Sequence, residues 1–265
     1  MVDPDVAQLR AEARARALAR PRVPFDGVVA DERVGDLTAR RYTPATATRP
    51  DVAVLFLHGG YGILGDLELQ DGYCRRIAGI LGVSVLSVDY RLAPEARLAD
   101  SAADAVAAAD TLGREGKGHV VLWGDSAGGA VALAAARSTD ADGLVLTNPN
   151  VDLSLARYDD AAPGGPGREL SEWAFLHWTG VDRLEDAPDL AADAAGLPPV
   201  FVAVGSEDSL LPDAQHLEAR CEAAGVPALL RVVPGASHGF MGGPDTETID
   251  AVIREAGQRM VDADA

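Results

Sequence analysis

Runs of apolar residues recur along the chain and are separated by segments with helical spacing. A nearly continuous apolar run is typical of a strand that is buried on both faces of a sheet. Six such runs cover residues 52–57, 83–88, 120–123, 144–146, 200–204 and 229–233. Two further strands are predicted at residues 25–30 and 36–42, joined by a polar turn.

Helical patterns fill the gaps between these runs. Helices are predicted at residues 71–81, 100–113, 127–137, 213–224 and 246–262, and an amphipathic helix rich in alanine and arginine at 7–20. Strands that alternate with helices predict an α/β architecture, a doubly wound, mostly parallel sheet with helices on both faces. No repeat or second domain is evident, so we expect one domain over residues 1–265.

Residues 152–197 do not follow the alternating pattern. They contain a Pro-Gly-Gly-Pro-Gly stretch at 163–167 and one predicted helix at 171–178. Because the segment lies between two predicted strands, it is an excursion from the sheet rather than a linker. Long excursions of this kind often form lids or binding loops.

The strongest chemical signal is Gly124-Asp125-Ser126-Ala127-Gly128, which matches the pattern G-x-S-x-G. It follows the run 120–123 and opens the helix 127–137, which is the context of a nucleophile elbow. The small residues permit a sharp turn that raises the serine hydroxyl at the carboxyl end of the strand. A glycine-rich turn with a capping serine is the structural alternative, and the partners below favour Ser126 as a nucleophile.

A serine nucleophile needs a base to accept its proton. His238 is the best candidate, because it follows the last apolar run and a loop there faces the same sheet edge as Ser126. Three other histidines are placed less well: His119 at the far end of its strand, His177 in the excursion, and His216 on a helix face.

The histidine in turn needs a carboxylate that fixes its tautomer and stabilises the imidazolium. Asp208 follows the run 200–204 and therefore also lies at a carboxyl strand end. Its neighbour Glu207 is the rival, since adjacent loop residues usually point apart and only one can serve. The chain order serine, aspartate, histidine is that of α/β-hydrolases.

Backbone N–H groups must also face the carbonyl oxygen that becomes negatively charged. The glycine-rich loop at residues 58–62, which we call the oxyanion loop, follows the run 52–57. We expect one donor to be the N–H of Ala127, directly after the nucleophile, and the others to come from the oxyanion loop, among Gly59, Gly60 and Tyr61. His58 is expected to anchor the loop rather than to transfer a proton.

These segments resemble the hormone-sensitive-lipase-like family of bacterial esterases. The resemblance rests on His58-Gly59-Gly60, on Asp89-Tyr90-Arg91-Leu92-Ala93-Pro94-Glu95 and on Gly124-Asp125-Ser126-Ala127-Gly128-Gly129, and it extends over residues 42–241. It implies an α/β-hydrolase fold of about eight strands with a small cap, built from residues 1–24 and 152–197. It also implies hydrolysis of short-to-medium acyl esters without a cofactor or metal. The resemblance further implies that the N–H groups of Gly60, Tyr61 and Ala127 form the oxyanion hole.

The sequence departs from the family pattern in two places. Tyr61 occupies the third glycine position of the oxyanion motif, and Gly62 replaces the aromatic residue that follows. If the loop needs a positive φ at Tyr61, a bulky residue is disfavoured there, and Gly62 could take up the turn instead. The chain is also short for the family, with an excursion that looks trimmed, and this affects the expected acyl pocket.

Composition narrows the partners. The 41 acidic and 23 basic residues give a formal net charge of −18, which repels nucleic acid and anionic lipid and weakly favours neutral or cationic substrates. No apolar run reaches the length of about 18 residues that a membrane span needs. The partner expected is therefore a small-molecule ester, with a homo-oligomer also compatible.

Two cysteines, Cys74 and Cys221, cannot form a disulfide framework and are expected as reduced, buried or half-buried thiols on helices. The arginine-rich start superficially resembles a transit peptide, but it runs directly into the domain body. These features predict a cytoplasmic protein.

Two other functions remain open on the sequence alone. The Tyr61-Gly62 departure is compatible with a lyase, cyclase or acyl transferase on the same scaffold, as in plant dehydratases that resemble this family. A non-catalytic binding module, as in the gibberellin receptors, would lack the catalytic histidine, whereas His238 is present here.

Overall fold

A computed structural model of the chain describes residues 3–261 and consists, over that range, of one eight-stranded sheet flanked by seven helices. The strands are β1 Gly27–Val34, β2 Leu37–Pro44, β3 Val52–Leu57, β4 Ser84–Val88, β5 His119–Asp125, β6 Gly143–Thr147, β7 Val200–Gly205 and β8 Ala228–Val233. The helices are α1 Val6–Ala19, α2 Asp71–Leu81, α3 Leu98–Arg114, α4 Ala127–Ala136, α5 Arg168–Thr179, α6 Leu211–Ala224 and α7 Thr246–Met260. None of these helices is long and apolar enough to span a membrane.

The strand order is β1-β2-β4-β3-β5-β6-β7-β8. The first two strands form an antiparallel hairpin, β2 pairs with β4 antiparallel, and all later neighbours are parallel. The carboxyl ends of β3, β5, β7 and β8 therefore meet at one edge, where parallel α/β sheets place their sites. The mostly parallel sheet that the alternating pattern predicts is confirmed.

Strand β3 shows why the apolar runs are continuous. Val52, Val54 and Phe56 pack into the core under α2 and α7, whereas the residues between them pack into the core under α3 and α4. All six side chains of the strand are fully buried. A strand covered by helices on both faces has no solvent side and needs no polar alternation.

The expectation of two-sided burial is wrong for β8. Arg231 and Val232 are exposed, and only Val233 of this strand is buried. The reason is its position at the edge of the sheet, where β7 is its one neighbouring strand within residues 3–261.

The hairpin strands are longer than the sequence predicts. The polar residues 31–33 continue β1, because Asp31 and Glu32 form cross-strand ion pairs with Arg40 and Arg41 at 2.6 and 2.7 Å. The turn is therefore confined to Gly35, which has a φ of 57°, and its neighbour.

The predicted helices are all present, with ends that differ by a few residues. The prediction for the last helix ran to Asp262, which lies outside the described residues. The expectation of an amphipathic first helix is wrong, because α1 buries only Ala13 and Ala17. Arg10 holds the helix instead, donating to the carbonyl oxygens of Ile63 at 2.8 Å and Ala93 at 2.7 Å.

The excursion at residues 152–197 is anchored at its base by a buried carboxylate. Asp213 on α6 accepts hydrogen bonds from the backbone N–H groups of Val151 and Asp152 at 3.0 and 3.1 Å. Burial raises the pKa of Asp213 to about 7, although both hydrogen bonds favour its charged form. The segment that leads into the excursion is thus held by a titratable group.

Candidate active site

Ser126 lies on a strained turn between β5 and α4. Its backbone has a φ of 53° and a ψ of −116°, and its N–H donates to the carbonyl oxygen of Thr147 at 2.8 Å. The flanking glycines are required by packing: a Cβ on Gly124 would lie 2.3 Å from the carbonyl oxygen of Gly128, and one on Gly128 would lie 2.0 Å from that of Leu57. A non-glycine residue with positive φ is typical of a site where function imposes the strain.

The structure brings Ser126, His238 and Asp208 together at the carboxyl edge of the sheet. Ser126 Oγ lies 3.0 Å from His238 Nε2, and His238 Nδ1 lies 2.9 Å from Asp208 Oδ2. Asp208 is 1% exposed and its other carboxylate oxygen accepts the N–H of Leu210. A base in contact with the serine and an orienting carboxylate behind it form the geometry that activates a hydroxyl.

Glu207, the rival carboxylate, does not contact His238. Its side chain is exposed, whereas the neighbouring Asp208 points inward. The backbone of Glu207 connects neighbouring loops instead. Its N–H donates to the carbonyl oxygen of Ala236, and its carbonyl oxygen accepts the N–H of Gly164.

The three less favoured histidines are engaged elsewhere. Nε2 of His119 lies 2.6 Å from the carbonyl oxygen of Met260, Nδ1 of His177 lies 2.7 Å from that of Trp173, and Nε2 of His216 contacts the Asp189 carboxylate. His58 is also absent from the serine's contacts. It is 1% exposed, stacks on Tyr90 and lies with Nδ1 2.8 Å from the carbonyl oxygen of Gly59.

The prediction that the N–H of Gly59 is an oxyanion donor is wrong. Its N–H points to Gln70 and donates to Oε1 at 2.8 Å, so it is not free for a substrate oxygen. The N–H groups of Gly60, Tyr61 and Ala127 have no acceptor in the part of the chain that the structure describes. Three of the four expected donors are therefore available beside Ser126.

Tyr61 itself adopts the left-handed conformation, with a φ of 59°, and Gly62 follows with a φ of 73°. Gly62 therefore does not take up the turn in place of Tyr61, as the sequence left open, and Tyr61 itself has the positive φ. Two contacts support this backbone. The hydroxyl of Tyr61 accepts the N–H of Gly167 at 3.0 Å, and the ring of Trp178 lies where a Cβ on Gly62 would be, at 2.4 Å. The excursion thus fills the space beside the oxyanion loop.

The Pro-Gly stretch at residues 163–167 packs against the loop that carries Asp208. Gly164 exchanges backbone hydrogen bonds with Glu207 and Ser209, at 2.9 and 2.8 Å. A Cβ on Gly164 would lie 2.4 Å from the Cβ of Ser237, next to His238. Since the same stretch also contacts Tyr61, the excursion touches the loops that carry Asp208 and His238 as well as the oxyanion loop.

Sequence reasoning missed Gln70 and Asn150 and took Asp125 only as part of the motif. Gln70 donates from Nε2 to Asp125 Oδ2 at 2.5 Å, and so connects the oxyanion loop to the strand that carries Ser126. Burial raises the pKa of the Asp125 carboxyl. Asn150 lies 3.4 Å from Ser126 Oγ and follows β6 at the active edge, a position that could have identified it.

A cavity of about 840 Å³ opens onto Ser126 and His238. Its walls come from the oxyanion loop, from the end of α1 with the segment after it, and from the loop after His238. It is large enough for a small-molecule substrate.

Comparison with known proteins identifies a matching family and relatives that are esterases. The model of a family described as alpha/beta hydrolase fold matches residues 54–242. Esterase LipI of Mycobacterium tuberculosis is 34% identical over 236 residues, which are 80% of this chain and 73% of that protein. Ethyl acetate hydrolase of Pseudomonas putida is 32% identical, over 79% of this chain and 70% of that protein.

The fold comparison agrees. The crystal structure of an esterase from the bacterial hormone-sensitive lipase family superposes with a TM-score of 0.85 and 26% sequence identity. The match covers 98% of this chain and 93% of that one.

Proposed function

The chain belongs to the α/β-hydrolase fold family and is related to the bacterial hormone-sensitive-lipase esterases, and on this basis we propose that Ser126 cleaves short-to-medium acyl carboxylic esters through an acyl-enzyme. Carboxylic ester hydrolysis is the activity of the relatives and of this chain. The observation that carries the residue assignment is the continuous line of contacts from Ser126 Oγ through His238 to Asp208.

Acylation begins when His238 Nε2 accepts the proton of Ser126 Oγ while Oγ attacks the ester carbonyl. Asp208, which is buried behind Nδ1, stabilises the imidazolium that forms. The tetrahedral intermediate collapses, the bond to the alcohol oxygen breaks, and His238 returns the proton to that oxygen. The alcohol leaves and the acyl group remains on Ser126.

Deacylation repeats these steps with water. His238 removes a proton from water, the oxygen attacks the acyl carbon, and Ser126 Oγ leaves with the proton from the imidazolium. The products are a carboxylic acid and the starting enzyme, so no cofactor or metal takes part in the balance.

In this mechanism, backbone N–H groups stabilise the negative charge that develops on the carbonyl oxygen of the ester. The free N–H groups of Gly60, Tyr61 and Ala127 support this role, and the start of α4 behind Ala127 adds a favourable dipole. The relatives that hydrolyse esters support hydrolysis over the lyase, cyclase and acyl transferase alternatives.

We assign the cap role to the described part of residues 1–24, which includes α1, and to residues 152–197. The hydrogen bond from the Trp173 Nε1–H to the Asp3 carboxylate, at 3.0 Å, joins the two segments. Tyr61 reaches from the oxyanion loop to the start of α5 and lines the same cavity as Ser126. Its ring limits the room beside the acyl carbon, which supports a preference for short acyl chains.

A cytoplasmic location is also part of the proposal. Cys74 and Cys221 are both buried free thiols, as expected from their helices, and burial raises the pKa of each. Unpaired cysteines of this kind are typical of a reducing compartment.

The test is covalent labelling combined with turnover. Wild-type protein should hydrolyse p-nitrophenyl butyrate and bind a fluorophosphonate covalently at Ser126. Ser126→Ala should abolish labelling and lower kcat by about 10⁶-fold, since the three residues act as a unit. Retention of a tenth of the activity by this folded variant would remove Ser126 from its assigned role.

A further inference from the structure

The cavity above Ser126 carries positive charge in a strongly acidic protein. Four arginines line it, namely Arg16, Arg20, Arg22 and Arg76. The whole chain has a formal net charge of −18 and only 23 basic residues. We propose that the physiological ester carries a carboxylate on its acyl or alcohol part and that Arg20, with Arg16, binds this group. The inference rests on ester hydrolysis at Ser126.

The carboxylates of the same cavity wall, as far as the structure describes it, form no ion pair with Arg16 or Arg20. Glu68 and Asp71 each face Arg40, at 2.9 and 3.4 Å, and their side chains are 11% and 8% exposed. Asp125 is buried and bonded to Gln70 and Thr147. The negative groups are thus withdrawn into the wall, whereas the guanidinium groups are at its surface.

The four arginines differ in how far they are already paired. Arg76 faces Asp250 at 2.8 Å, with 21% of its side chain exposed, and is largely satisfied. In the part of the chain that the structure describes, Arg22 forms two ion pairs of 3.4 Å, to Glu68 and Asp71. Arg76 and Arg22 therefore add positive electrostatic potential to the cavity, but their guanidinium groups already have carboxylate partners.

Arg20 and Arg16 are the open pair. Among the described residues Arg16 has one ion-pair partner, the exposed Glu12 on the preceding turn of α1, at 3.6 Å. Arg20 has no carboxylate at ion-pair distance among residues 3–261. Its Nη1 lies 3.8 Å from the position of a Cβ on Gly242, in the loop that follows His238. An unpaired guanidinium therefore lies on the His238 side of the cavity.

The charges that line the cavity affect a bound ligand more strongly than the net charge of the whole chain does. The Debye length is about 8 Å at physiological ionic strength, so acidic residues on remote surfaces are screened from a ligand in the cavity. A guanidinium on the wall acts within hydrogen-bond reach and can hold a carboxylate by two parallel bonds. The weak expectation of neutral or cationic substrates, drawn from net charge, is therefore reversed inside the site.

Matched substrate pairs test the proposal. Monoethyl glutarate and ethyl glutaramate differ only in a carboxylate against an isosteric neutral amide on the acyl side. The 4-acetoxybutyrate and 4-acetoxybutyramide pair makes the same comparison on the alcohol side. Hydrolysis is followed by pH-stat, and the ratio of kcat/KM within each pair is the readout, because it is independent of the fraction of folded protein.

We expect wild type to prefer the carboxylate in one pair by about 10- to 100-fold, the range of one charge-assisted contact. The double variant Arg16→Gln/Arg20→Gln should bring that ratio close to one, mainly by raising KM for the charged ester. Arg114→Gln is the control for loss of a positive charge away from the cavity, since Arg114 is exposed at the end of α3.

The outcomes separate cleanly. A ratio near one in both pairs for wild type overturns the inference, as does a preference that survives in the double variant or is lost equally in Arg114→Gln. The pair that shows the preference assigns the carboxylate to the acyl or to the alcohol side. If wild type also fails to hydrolyse ethyl butyrate, the proposed function has failed rather than the substrate class.

Discussion

Replacement of Gln70 by methionine would cut the link between the oxyanion loop and the strand that carries Ser126. Methionine is close to glutamine in length, so the packing of the half-buried side chain is kept. Two hydrogen bonds are lost, one from the Gly59 N–H at 2.8 Å and one to Asp125 Oδ2 at 2.5 Å.

The effect on stability follows from the groups left without partners. An unsatisfied buried polar group costs about 1–3 kcal/mol, and Gly59 and Asp125 each lose one partner. Asp125 keeps the hydroxyl of Thr147 at 2.5 Å, and it can also bind a proton because burial raises its pKa. We therefore expect a loss of about 2–4 kcal/mol, or a Tm lower by about 5–15 °C at about 2–4 °C per kcal/mol.

The effect on catalysis follows from the position of Gly59, next to Gly60 and Tyr61, whose N–H groups we propose as oxyanion donors. Complete loss of one oxyanion donor costs about 10²–10³ in kcat. A loosened loop still offers its donors, but less often in the right place, so we expect a fall in kcat of about 10- to 100-fold. KM should change little, because the oxyanion forms only in the transition state.

Steady-state hydrolysis of p-nitrophenyl acetate, measured well below the Tm of each variant, separates the two effects. Gln258→Met, an exposed substitution on α7, is the matched control and should leave both parameters unchanged. If Gln70→Met lowers the Tm but keeps kcat within about twofold of wild type, Gln70 only stabilises the fold and does not position the oxyanion loop.

Three further predictions test the site and the fold. Asp208→Asn should lower kcat by about 10⁴-fold and Glu207→Gln by less than about threefold, in the same ester assay; the reverse order would mean that the wrong carboxylate is assigned. Tyr61→Gly should raise the ratio of p-nitrophenyl octanoate to p-nitrophenyl acetate turnover, because the ring no longer limits the acyl side, and an unchanged ratio would exclude this role. Since the pKa of Asp213 is raised to about 7, the folded state holds a proton between about pH 4 and 7 that the unfolded chain has released. Stability should therefore fall as pH rises through this window, by at most about 1.4 kcal/mol per pH unit from this group, and urea unfolding of Asp213→Asn should show a flatter profile.

The sequence locates Ser126, Asp208 and His238 because each follows an apolar run. A run of buried strand residues marks the sheet, and the first polar or small residue after the run marks its carboxyl edge. In a parallel sheet those edges coincide, so residues far apart in the chain are predicted to meet. Choice between Asp208 and Glu207 needed the structure, because two adjacent loop residues carry the same pattern.

Gln70 and Gly59 show what spacing cannot resolve. Which N–H groups of a glycine-rich loop face the substrate depends on their φ and ψ values, and these depend on the contacts of Tyr61 with Gly167 and of Gly62 with Trp178. Those partners come from an excursion more than a hundred residues later in the chain. No local pattern around residue 70 indicates that its side chain accepts from one strand end and donates to another.

The cavity arginines show why the sequence predicts the reacting residues better than the residues proposed to bind the substrate. Groups that perform the reaction must be fixed closely to one another, and strand ends of a buried sheet provide that rigidity. Groups that select the substrate need only to line the entrance, so they can be carried by α1 and the segment after it, which rest on the body through arginine contacts and two small buried alanines. The exposed residues of such a helix can change without disturbing the core. The apolar runs of the sequence therefore predict the type of reaction, because they locate the strand ends that carry the reacting groups. The proposed substrate class depends on where α1 packs, and the spacing of its apolar residues does not predict that position.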